Sequence, residues 1–201
     1  MLYRILFFIL LSISFSSYSQ DIDIQLLRSV NSPANNGDRF FQFVSNSNNV
    51  VIMGVPLVMG VAGLINDDDK IFRNACVIVA ADAINLGFTY AIKYSVNRTR
   101  PFITYPDIVK KTEGGGPSFP SGHTSGAFAT ATTLSLEYPK WYVIAPSFLW
   151  AGTVGYSRMY LGAHYPCDVL AGAIVGAGSA YLSYKANKWL TKNYATKHEH
   201  R

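Results

Sequence analysis

The chain has 201 residues, 49% of them apolar and only 14% charged, with a formal net charge of +5. That length suits one domain with a sizeable core, and the charge content is well below the roughly 25% typical of soluble domains. The basic residues argue against a nucleic-acid partner. They gather in a C-terminal tail (Lys185, Lys188, Lys192, Lys197, Arg201) and near Pro101 (Lys93, Arg98, Arg100, Lys110, Lys111), without a recognition helix or zinc spacing. A basic tail beside an apolar segment fits a membrane surface better.

In chain order, Met1–Arg4 and the apolar run Ile5–Phe15 read as the n- and h-regions of a signal peptide, residues 1–19. The run is shorter than the about 20 residues a span requires. Ser17 and Ser19 supply the small residues of a cleavage site, which leaves Gln20 first in a single domain of residues 20–201. An uncleaved first transmembrane helix is the alternative. Asp21–Val30 is a short amphipathic segment, and Asn31–Gly37 is turn chemistry. Asp38 then caps an aromatic-rich stretch, Arg39–Val44, suited to an interface.

Five apolar helical segments follow, at about Val50–Ile65, Ile71–Tyr94, Ser125–Leu136, Trp141–Tyr156 and Asp168–Tyr184. Glycines inside them (Gly54, Gly60, Gly63, Gly172, Gly176, Gly178) allow the close helix approach that drives association in membranes. The first and last are the strongest spans. Asp82 and Asn85 interrupt the second, and polar groups at that depth must face protein rather than lipid. The expected fold is an all-α helical bundle of about five core helices with short N-terminal interfacial helices, embedded in a membrane. A compact soluble helical domain is the alternative.

Three clusters carry chemistry. Lys93 and Arg100 precede Pro101, which disfavours helix at Arg100, so the arginine sits where helix gives way to loop. A lysine point charge and an arginine fork both suit a phosphate. Phe119-Pro120-Ser121-Gly122-His123-Thr124 opens the third helical segment, where Ser121, the Gly122 backbone and free helix N–H groups form an anion site and His123 adds a proton donor. In Ser157-Arg158-Met159-Tyr160-Leu161-Gly162-Ala163-His164-Tyr165-Pro166-Cys167-Asp168, Arg158 can grip an oxyanion. His164 can act as nucleophile or base, and Asp168 can fix its tautomer. Together they form a site for a tetrahedral oxyanion, with one histidine to attack phosphorus and another to protonate the leaving oxygen.

If the mature N-terminus lies outside and all five segments cross, the three clusters share the outer face and the lysine-rich tail lies inside, as the positive-inside rule prefers. Cys76 and Cys167 then lie near opposite ends of their helices. Roughly 24 Å of helix rise separates Cys76 from the outer face, beyond disulfide reach, so two free thiols are expected.

Lys93-x6-Arg100-Pro101, Pro120-Ser121-Gly122-His123 and Ser157-Arg158-x5-His164-x3-Asp168 together resemble the three-part signature of the type 2 phosphatidic acid phosphatase superfamily. That group contains membrane lipid phosphatases, soluble bacterial acid phosphatases and vanadium-dependent haloperoxidases. The resemblance covers about Phe40 to Tyr184 and fills every signature position. It implies that His164 forms a phosphohistidine, oriented by Asp168, and that His123 protonates the leaving group and later helps activate water. It also implies that Lys93, Arg100, Ser121, the Gly122 N–H and Arg158 bind the phosphate, with no metal ion and no cofactor. The motif context looks most like the membrane branch. Its substrates are lipid phosphates or diphosphates such as undecaprenyl diphosphate, phosphatidic acid, phosphatidylglycerol phosphate or a lipid A phosphate. The expected location is the cell envelope, as a multi-pass membrane protein with its site facing the periplasm. The alternatives are a soluble periplasmic acid phosphatase and, more remotely, a vanadate-dependent haloperoxidase. The Tyr105–Phe119 loop, with Gly114-Gly115-Gly116 as a hinge, is a candidate lid. His198 and His200 match nothing in the signature and are expected in solvent.

Overall fold

The computed structural model describes residues 21–199, and side chains as far as residue 192. The expected signal peptide and the side chains of His198 and His200 lie outside the described residues. Residues 21–30 form helix α1, followed by α2 (Asp38–Ile65), α3 (Asp69–Val96), the single turn α4 (Pro101–Thr104), α5 (Gly122–Glu137), α6 (Trp141–Tyr160) and α7 (Pro166–Glu199). No strand occurs among the described residues. The result is the expected all-α bundle.

Local chemistry sets the helix ends. Asp68 caps α3, its carboxylate accepting the Lys70 and Ile71 N–H groups at 2.9 and 3.0 Å. Asn97 ends that helix in the left-handed conformation, φ 48°. Pro101 starts α4 at a first-turn position where its missing N–H costs nothing. Ser121 is the N-cap of α5.

Two expectations about the N-terminal region change. The Asp38–Val44 stretch is not a separate interfacial segment but the first turns of α2, which runs unbroken to Ile65. Helix α1 does not lie free on an interface either. Its Ile24 and Leu27 pack with Ile108 and Tyr165 into a second core, leaving Ile22 and Leu26 exposed.

Helix α5 is the hub, packing against α7, α6, α3 and α2. It is buried nearly all round by small residues (Thr124, Ser125, Gly126, Ala127, Ala129, Thr130, Ala131, Thr133), as a helix enclosed by protein must be. Helices α2 and α3 form an antiparallel hairpin closed by a short turn. Gly63 meets Phe72 so closely there that an added Cβ would sit 2.7 Å from the Phe72 nitrogen.

The outer faces are apolar. Val50, Met53, Leu57, Val58, Leu64 and Ile65 of α2 are all exposed, as are Val79 and Leu86 of α3 and Leu170 and Ile174 of α7. Such a belt far exceeds the patches soluble monomers tolerate. By length and composition α2 and α3 can each cross a bilayer. At 28 residues each, they rise about 42 Å against a hydrocarbon core of about 30 Å. The strongest pair is therefore α2 and α3, not the first and last apolar segments. Both thiols are free, with Cys76 exposed on α3.

Candidate active site

One end of the bundle collects all three clusters. A cavity of about 800 Å³ is lined there by Lys93 from α3, Arg100 from the following loop, Gly122 and His123 from α5, Arg158 from α6 and His164 from the α6–α7 loop. The N-termini of α5 and α7 both lie at this end, adding partial positive charge suited to an anion.

The fixed centre is Asp168. Fully buried, its Oδ1 accepts from Arg98 at 2.7 Å, and its Oδ2 accepts from the Tyr165 N–H at 3.0 Å and from the Ser118 hydroxyl. The same Oδ2 is 3.5 Å from Nδ1 of His164, which also lies 3.3 Å from the Ser118 oxygen. Because Asp168 and Ser118 both offer acceptor lone pairs to Nδ1, the proton belongs on that nitrogen. Nε2 keeps its lone pair, near the cavity and 3.4 Å from Arg100. Burial, reinforced by the Arg100 and Arg158 charges, outweighs the Asp168 carboxylate and pushes the His164 pKa down to about 4. The imidazole is therefore neutral, and nucleophilic, at ordinary pH.

The cations divide into two kinds. Arg98 is paired: it bridges Asp168 and Asp23 of α1 at 2.7 and 2.9 Å, and its guanidinium stacks 3.7 Å over the Tyr165 ring. Burial works against its charge, yet Asp168 and Asp23 outweigh it and raise its pKa. The other three donate to neutral groups. Lys93 reaches the Pro117 and Pro120 carbonyls, both at 2.8 Å. Arg100 holds the Gly115, Gly116 and Ala163 carbonyls at 2.8, 3.1 and 3.0 Å, and burial lowers its pKa. Arg158 donates to the Ser45 hydroxyl, while its buried Nε has no partner. Glu113, which also lines the cavity, pairs with Lys110 at 3.4 Å. Three cations without carboxylate partners around one cavity call for an anion of more than one charge.

Two expected features sit differently from the simplest reading. The fully buried Ser121 hydroxyl is engaged in the α5 cap, accepting from Thr124 Oγ1 at 2.9 Å, and is not part of the cavity lining. The Gly114-Gly115-Gly116 hinge is wrapped on Arg100, and an added Cβ at Gly114 would come within 2.9 Å of the guanidinium. Ser118, Arg98 and Asp23 are site residues that the sequence reading did not assign. Arg98 was visible as one of a basic cluster; nothing in its spacing named Asp168 as partner. Among the described residues no three His, Cys, Asp or Glu side chains gather as metal ligands would.

A neutral buried histidine facing an array of cations, with a second histidine on the first turn of α5 in the same cavity, is an arrangement suited to phosphotransfer on an all-α bundle. A family model described as PAP2 superfamily matches residues 74–192. The chain is 30% identical to a lipid A 4'-phosphatase of Bacteroides thetaiotaomicron, over 83% of this chain and 77% of that one. It is 38% identical to an undecaprenyl-diphosphatase of Sulfolobus acidocaldarius over 45% of this chain and 44% of the relative. Among solved structures, Aquifex aeolicus LpxE superposes with a TM-score of 0.70 at 28% identity, covering 82% of this chain and 95% of that one. A transmembrane PAP2-type phosphatidylglycerolphosphate phosphatase from Bacillus subtilis shares the fold, with a TM-score of 0.73 at 19% identity over 91% and 93% of the two chains. This chain belongs to the PAP2 superfamily, and it is a membrane protein.

Proposed function

We propose that this protein hydrolyses a lipid phosphate or diphosphate through a phosphohistidine on His164, without a metal ion, at the outer face of the membrane. The observation that carries the chemistry is the orientation of His164. With Nδ1 held by Asp168 and Ser118, Nε2 is the free nucleophile beside Arg100. In the first step the Nε2 lone pair forms an N–P bond as the bond from phosphorus to the leaving oxygen breaks. That oxygen takes a proton from His123, on the first turn of α5 in the same cavity. Burial, with the Arg158, Arg100 and Lys93 charges, holds the His123 pKa down to about 3. The negative charge of the phosphate among those cations raises it, so that His123 is protonated when it donates. In the second step water attacks phosphorus and gives a proton to His123, releasing phosphate and neutral His164. Lys93, Arg100, Arg158 and the N–H groups at Gly122 stabilise the charge that gathers on the phosphoryl oxygens. Ser121 supports them by fixing the α5 N-terminus.

The lipid character of the substrate rests on the apolar outer faces of α2 and α3, and on the phosphorylated lipids named for the relatives. The outward orientation rests on the lysines near the C-terminal end of α7, Lys185 and Lys188, at the opposite end from the site. The test is phosphate release by purified protein in EDTA from lipid A, undecaprenyl diphosphate, phosphatidic acid and a soluble phosphate ester. Release from a lipid that survives EDTA and vanishes in His164→Ala, with unchanged circular dichroism, is the expected result. Turnover retained in His164→Ala refutes the nucleophile, and loss in EDTA refutes the metal-free mechanism.

A further inference from the structure

The catalytic cavity does not end at the phosphate site. It runs on between α2 and α3, where its lining turns polar and then apolar. The cavity-facing stripe of α3 reads Asp82, Asn85, Leu86, Thr89, Tyr90 and Lys93, the three- and four-residue spacing of one helix face. Asn85 precedes the Lys93 of the active site by about 12 Å of helix rise. Facing it from α2 are Asn48 and Asn49, and beyond them Ile52 and Met53 lead into an apolar groove that shares Asp82 and Val79 with the cavity. Polar side chains thus form a shelf between the phosphate site and a greasy channel.

Most of this shelf is satisfied internally. Thr89 lies 3.0 Å from the Ser125 hydroxyl and 3.4 Å from the Asn85 oxygen, and Asp82 accepts from Thr130 at 3.3 Å. Asn48 is the exception. It is 2% exposed, lines the cavity, and its side-chain oxygen has no hydrogen-bond partner. A buried acceptor without a partner costs free energy at any depth, and more in a membrane-embedded bundle. A structure meets that cost where a ligand supplies the missing donor.

We infer that the shelf built around Asn48 is a recognition subsite for a hydrogen-bond donor on the lipid portion of the substrate, an amide N–H or a hydroxyl close to the phosphate-bearing headgroup. The occupant is an acylated lipid with amide-linked or hydroxylated chains. A bare polyprenyl chain has no such donor and leaves the Asn48 oxygen unpaired. A donor missing where the site expects one is penalised more strongly than an extra methylene, because the protein group stays buried and unsatisfied. The inference rests on the lipid phosphatase reading above and narrows its substrate class.

The experiment compares three probes of matched chain length in the same detergent micelles, using the full chain. Ceramide 1-phosphate presents an amide N–H and a hydroxyl. Phosphatidic acid presents only esters, and an N-acylated phosphoethanolamine without the hydroxyl separates the amide from the hydroxyl as the donor. The wild-type protein is expected to favour a donor-bearing lipid over phosphatidic acid by about tenfold in kcat/KM, the effect of one buried hydrogen bond. In Asn48→Leu, which keeps the branching at Cγ without the acceptor, the ratio is expected to collapse towards one. Equal wild-type use of donor-bearing and ester-only lipids overturns the inference, as does an Asn48→Leu variant that keeps the wild-type ratio. The wild-type comparison stands even if the variant does not fold. If no lipid phosphate is hydrolysed while the soluble ester is, the lipid phosphatase reading has itself failed, and this inference with it.

Discussion

Of the described glycines, the one with least room for a side chain lies behind the active site, and that contact can be tested with one methyl group. Gly172 and Gly176 face the first turns of α5. A Cβ added at Gly176 would lie 2.0 Å from the Ser125 carbonyl oxygen and 2.9 Å from the Ala129 nitrogen. A carbon–oxygen contact needs about 3.3 Å, so Gly176→Ala must part α5 from α7 by more than about 1 Å. Those helices carry the two halves of the proposed chemistry, His123 on one and Asp168 on the other, joined by the Ser121 N–H to Asp168 carbonyl bond of 2.9 Å. Overpacking of this kind costs about 1–3 kcal/mol. For a chain of this size each kcal/mol lowers the melting temperature by about 2–4 °C. Displacing the catalytic groups by that amount can also cost about 10²-fold in kcat. Gly178, two residues on in the same helix, has nothing within 4 Å of its would-be Cβ. Gly178→Ala is therefore expected to hold or raise stability, since alanine gains up to about 1 kcal/mol over glycine in a helix. Tryptophan-fluorescence melting of both variants in detergent, with phosphate release at saturating substrate, measures the contrast. Equal behaviour of the two variants, or an unperturbed Gly176→Ala, refutes the claim that this contact sets the register of the site.

Three further outcomes follow from the site. The acid limb of kcat/KM should fall near pH 4: His164 attacks only when neutral, its pKa is lowered, and activity is lost as pH drops through that value and protonates it. A limb near 6.5, the value of an unperturbed imidazole, contradicts the buried environment assigned to it. Arg98→Gln should lower kcat more than it changes KM, because it frees Asp168 without touching the phosphate cations. Stability should also fall by about 2 kcal/mol, a value discounted because the Arg98 side chain is partly exposed. Unchanged kcat with reduced stability would make Arg98 purely structural. Arg158→Lys should reduce kcat/KM by about 10²-fold despite keeping the charge, because lysine lacks the Nε donor and the planar fork; wild-type kinetics in that variant would remove Arg158 from phosphate binding.

Most of the bundle was legible in the sequence because helix periodicity and end signals are local. The apolar runs, the Phe119–Thr124 opening of the third segment and the proline at 101 each act within a few residues. The errors came where a local pattern had two physical solutions. Asp38–Val44 is aromatic and amphipathic, which suits an interface. It equally suits the first turns of a longer helix when Phe41 packs at a tilt against Tyr156 and Tyr160, with ring centroids 5.3 and 4.2 Å away. Likewise α1 carries an amphipathic pattern that a lipid surface could use, but Ile108 and Tyr165 cover it. Which partner buries an apolar face depends on the whole fold.

The same logic separates the two kinds of site residue. The convergence of Lys93, Arg100, His123, Arg158 and His164 on one cavity was readable because residues suited to meet a phosphate must be of particular types at particular places on helix ends. Arg98 reaches the site through Asp168 and Asp23 through Arg98, while Ser118 touches both Asp168 and His164 Nδ1; many residue types in many positions could hold a carboxylate or an imidazole in this way. Their identity is set by distance: Asp23 reaches the Cys167 N–H at 2.8 Å and Arg98 at 2.9 Å because α1 is packed against Tyr165. The consequence is energetic as well as geometric. Asp168 has its charge balanced by Arg98 and its position fixed by Ser118 and the Tyr165 N–H, so it can face His164 Nδ1 without drawing Lys93, Arg100 or Arg158 into an ion pair. Those three stay available for the phosphate of the proposed substrate, and helix α1, remote in sequence from every motif, helps to keep them so.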